Sequence, residues 1–414
     1  MRPSILKLSL LILAVAVAAP VANADDPPVT TTRDAQGVWF IEGGSLYDVF
    51  EAQGYAVATD RLFQLDFNRR QSNGTLSEAL GPDYVSTDYF LRTIGYSDDE
   101  LAAQFDTFSE DAQIAIQAYV DGINRRIAEI QSDWHLMPYE YWIASFYYFF
   151  MEDLGFNFLP EPYTVNDVLR WTMIFLRNMD PEGMPNSRNG QTGNLELYMT
   201  WAAVYPSDFQ AMFSDVRWLN DPSALTMIPP EGEPAPVDAP LPPIFSSDWL
   251  PEVSEATREI QSLVDTYRQQ MKDLGILPKM GSYAWAISGD KTASGNPMVY
   301  SGPQMGFEVP SVICEGSVRG GGLEVSGMHV PGIPGIAIGR TPHHAWSMQV
   351  GHAHSADFFF DPPQAVFLHR WETIDIAGAE SVTLPIFHTS HGPVIDPLPF
   401  NPNDPPEFVV SWAY

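Results

Sequence analysis

Apolar residues recur at helical spacing through much of the first half of the chain, from about Leu46 to Trp218. The clearest stretch has Glu110 and Asp111 in its first turn and Arg125 and Arg126 in its last, which suits the dipole of a helix. Its apolar side chains lie three and four positions apart, at Ala112, Ile116, Tyr119, Val120, Ile123 and Ile127. The pattern predicts an amphipathic helix here and a mainly helical first half.

A proline-rich run at 229–243 interrupts this pattern and is predicted to be a linker, because its prolines cannot donate backbone hydrogen bonds. One isolated amphipathic helix follows, with apolar residues from Val253 to Leu274, and it stops near Gly275. After Gly281 the period changes to short strand-like runs punctuated by Gly, Pro and Asn. The order predicts an α+β fold whose sheet begins near Ser282.

Composition narrows the classes of protein to which the chain can belong. Its 414 residues are 45% hydrophobic and 13% aromatic, enough for more than one layer or domain. The formal net charge is -31, and the 21 basic residues form no run that could follow a phosphate backbone. We therefore expect no nucleic-acid partner, and we interpret the acidic balance as a solvated surface.

The beginning of the chain resembles a secretory signal peptide over residues 1–24. Two basic residues precede an apolar stretch at 8–19, and Ala22-Asn23-Ala24 fits a small-residue cleavage site. The alternative is a membrane anchor, but the apolar stretch is short and a proline interrupts it. We expect export to the periplasm or the medium, a mature chain from Asp25, and no membrane association after cleavage.

Two other kinds of site must be considered, a cysteine nucleophile and a zinc site. Cys314 is the single cysteine, so no intrachain disulfide can form, and it is interpreted as a small buried hydrophobe because no base is identified beside it. His352 and His354 could share one face of a strand, and His343 and His344 are adjacent. Such pairs without a clear third ligand indicate zinc only weakly.

The second half carries a series of ordered motifs, beginning with Gly-Ser-Tyr-Ala-Trp at 281–285. Gly-Pro-Gln-Met-Gly at 302–306, Pro-Gly-Ile-Pro-Gly at 331–335 and His-Gly-Pro-Val at 391–394 follow, and the helical half contributes residues 54–65. In order and spacing they resemble the penicillin acylase family of N-terminal nucleophile hydrolases. The resemblance runs from about Thr30 to the last residue.

The resemblance implies an αββα sandwich and a precursor organisation. Residues 25–228 correspond to the mainly helical α-chain, 229–281 to a spacer peptide, and 282–414 to the N-terminal, strand-rich part of the β-chain. Cleavage at Gly281-Ser282 by the precursor itself is implied to yield an α/β heterodimer. The family's activity implies hydrolysis of the amide bond in small N-acylated compounds, penicillin amidase-like.

The residues support that chemistry on their own terms. A serine hydroxyl is a poor nucleophile near neutral pH unless a base removes its proton. In a chain cut before Ser282, the freed α-amino group of the same residue can be that base, because such amines titrate near ~7.7 to 8.0. Ser282 is therefore the predicted nucleophile, and no partner histidine is required.

Further site residues come from the resemblance alone. Val350 falls where a backbone N–H helps to form the family's oxyanion hole, and Gln304 falls at the polar residue beside the nucleophile. Met305 and Ile338 fall at positions around the acyl group. Asp357 keeps one ligand of the family's calcium site, so Ca²⁺ is an expectation, whereas a glutamate ligand corresponds to Gln191.

The chain also departs from the family pattern. The family's β-chain continues for hundreds of residues beyond the position of Tyr414, and a downstream asparagine that donates to the oxyanion has no counterpart, so we expect a C-terminally truncated member. Tyr283 replaces an asparagine after the nucleophile. Two alternatives stay open: an acyl-homoserine lactone acylase, and a non-catalytic exported remnant that serves as a binding or structural module.

Overall fold

The computed structural model of the protein describes residues 28–143, 160–179, 184, 191–216, 250–275, 281–307, 309–349, 355–395 and 399–414. The predicted signal peptide and the proline-rich run 229–243 lie outside the described residues, as do Val350, His352 and His354. The predicted division into signal peptide, α-chain, spacer and β-chain therefore stays a prediction. Within the described part of the chain, no helix is long and apolar enough to cross a membrane.

Helices occupy most of the described first half of the chain. They are α1 (Leu46–Asn73), α2 (Leu76–Leu80), α3 (Val85–Ile94), α4 (Asp98–Phe105), α5 (Glu110–Ser132), α6 (Val165–Met179), α7 (Gln191–Val204), α8 (Phe209–Val216) and α9 (Leu250–Asp273). The helix predicted from residues 110–127 is confirmed as α5. The helix predicted after the linker is confirmed as α9.

The structure describes thirteen strands, of which eleven begin at or after Ser282. They are β1 (Thr30–Arg33), β2 (Trp39–Glu42), β3 (Ser282–Ile287), β4 (Met298–Pro303), β5 (Cys314–Gly320), β6 (Leu323–His329), β7 (Ile338–Arg340), β8 (Ala345–Trp346), β9 (Asp357–Asp361), β10 (Phe367–Ile374), β11 (Val382–Thr389), β12 (Gly392–Pro393) and β13 (Val409–Ala413). The α+β class predicted from the sequence is confirmed by this order of elements.

The described strands form four sheets. The largest has the order β1-β2-β5-β6-β7-β8, a second has the order β10-β11-β12, and β9 pairs with β13 and β3 with β4. The prediction that the sheet begins near Ser282 is wrong, because β1 and β2 precede α1 and β2 pairs in parallel with β5. The prediction missed β1 and β2 because four-residue strands are too short to show a period in the sequence. Pairing with a distant strand, β5, stabilises β2.

The pairing of α1 with α5 organises the helical half. Ser45 caps α1 by accepting a hydrogen bond from the Asp48 N–H, and the Asp48 carboxylate accepts one from the Ser45 N–H, at 3.1 Å each. A Cβ atom built on Gly54 would lie 2.0 Å from the Tyr119 carbonyl oxygen, and one built on Gly122 would lie 1.9 Å from the Glu51 carbonyl oxygen. The two backbones approach closely only because both positions are glycine.

Two core regions connect the helices to the sheets. Ile41 of β2 and Val318 of β5 pack with Phe50 of α1 and Ala118 of α5, which holds the large sheet against the helix pair. The largest buried cluster joins α3, α6 and α9 to the β9 and β13 strands, and it includes Phe90, Trp171, Ile174, Ile260, Tyr267, Val410 and Trp412. The second half of the chain thus folds against the first.

We expect Gly54→Ala and Gly122→Ala each to destabilise the protein by about 1–3 kcal/mol, because the added methyl group meets a backbone carbonyl that cannot move alone. The loss should occur although alanine is the better helix former. Gly302→Ala is the control, since its Cβ would meet no described atom within 4 Å. Urea unfolding followed by circular dichroism measures the change, and equal midpoints for all three variants would contradict the close approach.

Candidate active site

The predicted nucleophile lies at the first residue of a two-stranded hairpin. Strand β3 pairs antiparallel with β4, and Ser282 lies opposite Pro303. Just before the strand, the Gly281 carbonyl oxygen accepts a hydrogen bond from the Gln304 N–H at 2.5 Å. The structure therefore brings Gly281, Ser282 and Gln304 together at the open end of the hairpin, as the sequence predicts.

The Gln304 side chain also lies against Gly281. A Cβ atom built on Gly281 would be 3.1 Å from Gln304 Oε1 and 3.3 Å from Gln304 Cβ, closer than most real contacts. A side chain at position 281 would therefore displace the Gln304 side chain. Glycine at this position lets the amide of Gln304 lie next to the bond that is predicted to be cut.

The face of the hairpin that carries Ser282 contacts the segment directly after β8. Side chains alternate along a strand, so Ser282 and Ala284 share a face with Ser301, which pairs with Ala284. The Ser301 hydroxyl forms a hydrogen bond with the Ser347 hydroxyl. Ser347 lies three positions before Val350, the predicted oxyanion donor, which lies outside the described residues.

The other face of the hairpin is a stack of three aromatic rings. The Trp285 and Tyr300 centroids lie 4.4 Å apart at an interplanar angle of 13°, and those of Tyr283 and Trp285 lie 5.5 Å apart at 11°. Trp285 and Tyr300 remain 51% and 52% exposed. Tyr283, which departs from the family pattern, thus takes part in a cross-strand aromatic stack. The sequence signal for the stack was an aromatic pair two positions apart beside the nucleophile.

The two predicted acyl-contact residues lie on different elements. Met305 follows β4 and packs, half-buried, against the largest core cluster. Ile338 begins β7 and pairs with Met328 of β6 in the large sheet. Each is apolar and half-buried, so each can contact an apolar group, but their shared role stays a prediction.

Asp357, the predicted calcium ligand, lies at the start of β9 beside Gln191 of α7. The Gln191 amide nitrogen donates to Asp357 Oδ1 at 3.2 Å and to the Ala356 carbonyl oxygen at 2.7 Å, and Gln191 Oε1 accepts from the Phe358 N–H. Calcium takes six to eight oxygen ligands. These residues bring one carboxylate, and a hydrogen-bond donor points at it, so the donor set here does not fit calcium.

Other metal sites have no further support in the described part of the chain. Among the described residues, no group of three or more His, Cys, Asp or Glu side chains could hold a metal ion. His343 and His344 are described and lie in an exposed turn, where Thr341 contacts His344.

Cys314 has a neighbour that the sequence did not reveal. His329 lies directly opposite it in the β5–β6 pair, and the Arg61 guanidinium lies near its thiol. Burial raises the pKa of Cys314 even though Arg61 opposes the shift. Burial, with help from Arg61, lowers the pKa of His329 to about 4. Near neutral pH the thiol and the imidazole are both uncharged, so this pair is not a thiolate nucleophile. Cys314 is half-buried beside polar groups, so the prediction of a buried hydrophobe is wrong in its surroundings.

Comparison with known families and structures gives a consistent set of matches. The family model described as Penicillin amidase matches residues 28–414. Among solved structures, a thermostable penicillin G acylase from Alcaligenes faecalis in tetragonal form is similar, with 28% identity and a TM-score of 0.41. That match covers 50% of this chain and 98% of the compared chain.

Several characterised proteins are similar over most of this chain. Penicillin G acylase of Escherichia coli is 25% identical over 410 residues, which cover 90% of this chain and 46% of that protein. Penicillin acylase 2 proenzyme of Pseudomonas sp. (strain SE83) is 25% identical and covers 90% and 44%, respectively. Acyl-homoserine lactone acylase QuiP of Pseudomonas aeruginosa is 23% identical and covers 89% and 40%. The chain spans less than half the length of these relatives.

The contact between Gln191 and Asp357 allows a direct test of calcium binding. Calcium that bound only the folded state would raise the unfolding temperature. Because the donor set at Asp357 does not fit calcium, we expect 1 mM Ca²⁺ to leave the unfolding temperature of the wild-type protein unchanged within about 1 °C. Gln191→Glu places a second carboxylate beside Asp357, so that variant should be less stable without calcium and should gain stability when calcium is added. Gln191→Met is the control that removes the amide without adding charge. A calcium-dependent rise in the wild type would contradict this expectation.

Proposed function

The chain belongs to the penicillin amidase family, and on that premise we propose that it hydrolyses the amide bond of N-acylated compounds with Ser282 as its nucleophile. We also propose the αββα fold of N-terminal nucleophile hydrolases, which membership of the family supports. The observation that carries the proposal is the hydrogen bond from the Gln304 N–H to the Gly281 carbonyl oxygen, directly before Ser282.

That hydrogen bond suits self-cleavage of the precursor. In the proposed first step the Ser282 hydroxyl attacks the Gly281 carbonyl carbon, and negative charge develops on the carbonyl oxygen. The Gln304 N–H already donates to that oxygen, so it stabilises the charge where it forms. The C–N bond then breaks and its nitrogen takes the hydroxyl proton, which frees the Ser282 α-amino group and leaves the glycyl group as an ester on the Ser282 oxygen. Water hydrolyses this ester, which releases the Gly281 carboxylate and restores the Ser282 hydroxyl.

The freed terminus then acts on the substrate. The α-amino group of Ser282 takes the hydroxyl proton as the oxygen attacks the substrate amide carbon. The amine product leaves with a proton, and the acyl group stays on Ser282 as an ester until water releases it as a carboxylic acid. We propose the Val350 N–H as a donor to the substrate oxyanion. Loss of one such donor typically costs about 10²- to 10³-fold in rate.

The acyl group is the less defined part of the substrate. Met305 and Ile338 are proposed to contact it, and both are flexible or branched aliphatic side chains that adapt to an apolar chain. Relatives in two activity classes match this chain, penicillin acylases and acyl-homoserine lactone acylases. We therefore propose an N-acyl amide as the substrate class and keep an acyl-homoserine lactone as the second candidate.

We further propose that the protein is exported and works as an α/β heterodimer made from one precursor. A relative named as a proenzyme supports processing. The aromatic face of the hairpin, with Trp285 and Tyr300 half exposed, is a surface that a further polypeptide segment can cover. Calcium is not part of the proposal, because the Gln191 amide donates to Asp357, the one carboxylate at that position, and this donor set does not fit the ion.

Intact-mass analysis of the purified protein tests the proposed cleavage. We expect the wild type to give a fragment that begins at Ser282, and Ser282→Ala to remain one chain because it lacks the attacking hydroxyl. The amidase activity of Ser282→Ala should fall by more than about 10³-fold. Ser294→Ala, at an exposed turn of the same hairpin, is the matched control and should process normally. An uncut wild-type chain would instead support the non-catalytic remnant.

A hydrolysis panel separates the substrate candidates. Phenylacetyl amides, hexanoyl amides and acyl-homoserine lactones are compared by kcat/KM on the processed protein, with released amine as the readout. Because the proposed pocket residues are aliphatic, we expect the hexanoyl amide to exceed the phenylacetyl amide by roughly tenfold, the size of a small apolar mismatch. Preference for the lactones over the matched hexanoyl amide favours the second candidate, and no turnover of any compound contradicts the enzyme.

A further inference from the structure

Helix α9 follows the proline-rich run and lies wholly within residues 229–281, the span that the family resemblance marks as a spacer. It is nevertheless part of the protein core. Val264, Tyr267 and Met271 have no exposed surface, and Ile260 is 2% exposed. These side chains belong to the same cluster as Phe90 of α3, Trp171 of α6 and Trp412 of β13.

Polar contacts tie the same helix to three other parts of the fold. The Tyr267 hydroxyl accepts from Gln71 Nε2 of α1 at 2.8 Å and from Asn178 Nδ2 of α6 at 3.1 Å. Gln270 Nε2 donates to the Asp83 carbonyl oxygen at 2.9 Å, and its Oε1 accepts from the Thr87 hydroxyl of α3. If α9 left, the side-chain amides of Gln71 and Asn178 would lose the Tyr267 hydroxyl as a partner, and the hydroxyl would lose them. Buried polar groups are costly to leave unpaired.

A discarded spacer has different requirements. A segment that is removed after cleavage should have a polar, loosely attached surface, because whatever it covers becomes exposed to water. Removing α9 would uncover Phe90, which is 2% exposed and whose ring centroid lies 5.9 Å from that of Tyr267. The proline-rich run 229–243 has the composition expected of a removable segment, whereas α9 does not.

We propose that residues 250–275 are a permanent structural helix of the mature protein, packed against α3 and α7 and hydrogen-bonded to α6. The inference rests on the proposed function in one respect: cleavage at Gly281-Ser282 defines what the mature protein is. Cleavage there then leaves α9 in place, as the end of the helical chain or as a bound peptide. Its apolar face is an interface between the two halves of the chain rather than a cover over the site.

The first test measures the packing of α9 without any cleavage. In a Ser282→Ala chain, Tyr267→Ala should lower the unfolding midpoint by roughly 5 °C or more, because it removes a fully buried aromatic ring. Thr266→Ala, the exposed neighbour on the same helix, is the control and should shift it by less than about 1 °C. Tyr267→Phe should restore most of the loss, since it keeps the ring. Equal midpoints for Tyr267→Ala and Thr266→Ala would overturn the proposal.

The second test cuts α9 free. Recognition sequences for a site-specific protease replace residues 231–237 and 276–280 in the Ser282→Ala chain, so the result does not depend on self-cleavage. After digestion and native gel filtration, intact-mass analysis should find the α9 peptide in the peak of the remaining chain. If the peptide is lost and the remaining chain no longer unfolds in a cooperative transition, the result also supports the proposal. Loss of the peptide from a remainder whose unfolding midpoint is unchanged overturns it.

Discussion

The close crossing of α1 and α5 is the constraint on which the rest of the structure depends. Gly54 and Gly122 let each helix backbone touch the other, so the position of α1 is set by contact with a backbone rather than by adaptable side chains. α1 in turn carries Gln53, whose amide exchanges two 3.0 Å hydrogen bonds with the backbone of Gly335 in the strand-rich half. It also carries Gln71, which reaches Tyr267 of α9. Helix α1 therefore contacts both the strand-rich half and α9, and its position determines where each of them packs.

The sequence predicted the larger elements well because they are long enough to show a period. The helix around Ile116 and Ile123 and the helix after the linker both appear at the expected places, as does a strand that starts at Ser282. The prediction failed where distant pairing decides the structure. The four-residue strand β2 has no readable period, and the parallel pairing of Trp39 with Gly316 across most of the chain stabilises it.

The same distinction applies to the candidate site. Gly281, Ser282 and Gln304 could be placed together from a motif, because a hairpin brings nearby residues into register. The contact between Gln191 and Asp357 and the pairing of Cys314 with His329 depend on tertiary packing and register that spacing does not encode. Their consequences follow from physics once the contacts are known: an amide that points at the lone carboxylate disfavours calcium, and burial keeps the thiol and the imidazole uncharged.

The described chain also contains a serine and a histidine that both contact one aspartate, a set of residue types that must be distinguished from a catalytic triad. Asp361 accepts hydrogen bonds from Ser411 and Thr389 and contacts His391 Nδ1 at 3.0 Å. Burial raises the pKa of Asp361, but the hydrogen bonds from Ser411, His391 and Thr389 outweigh it and lower the pKa overall. In a catalytic triad the histidine must stand between the serine and the carboxylate, so that it can take the serine proton. Here the carboxylate stands between them, and the Ser411 proton is directed to Asp361. The arrangement joins β9 to β13 and holds His391, so this cluster is a structural contact and not a catalytic triad.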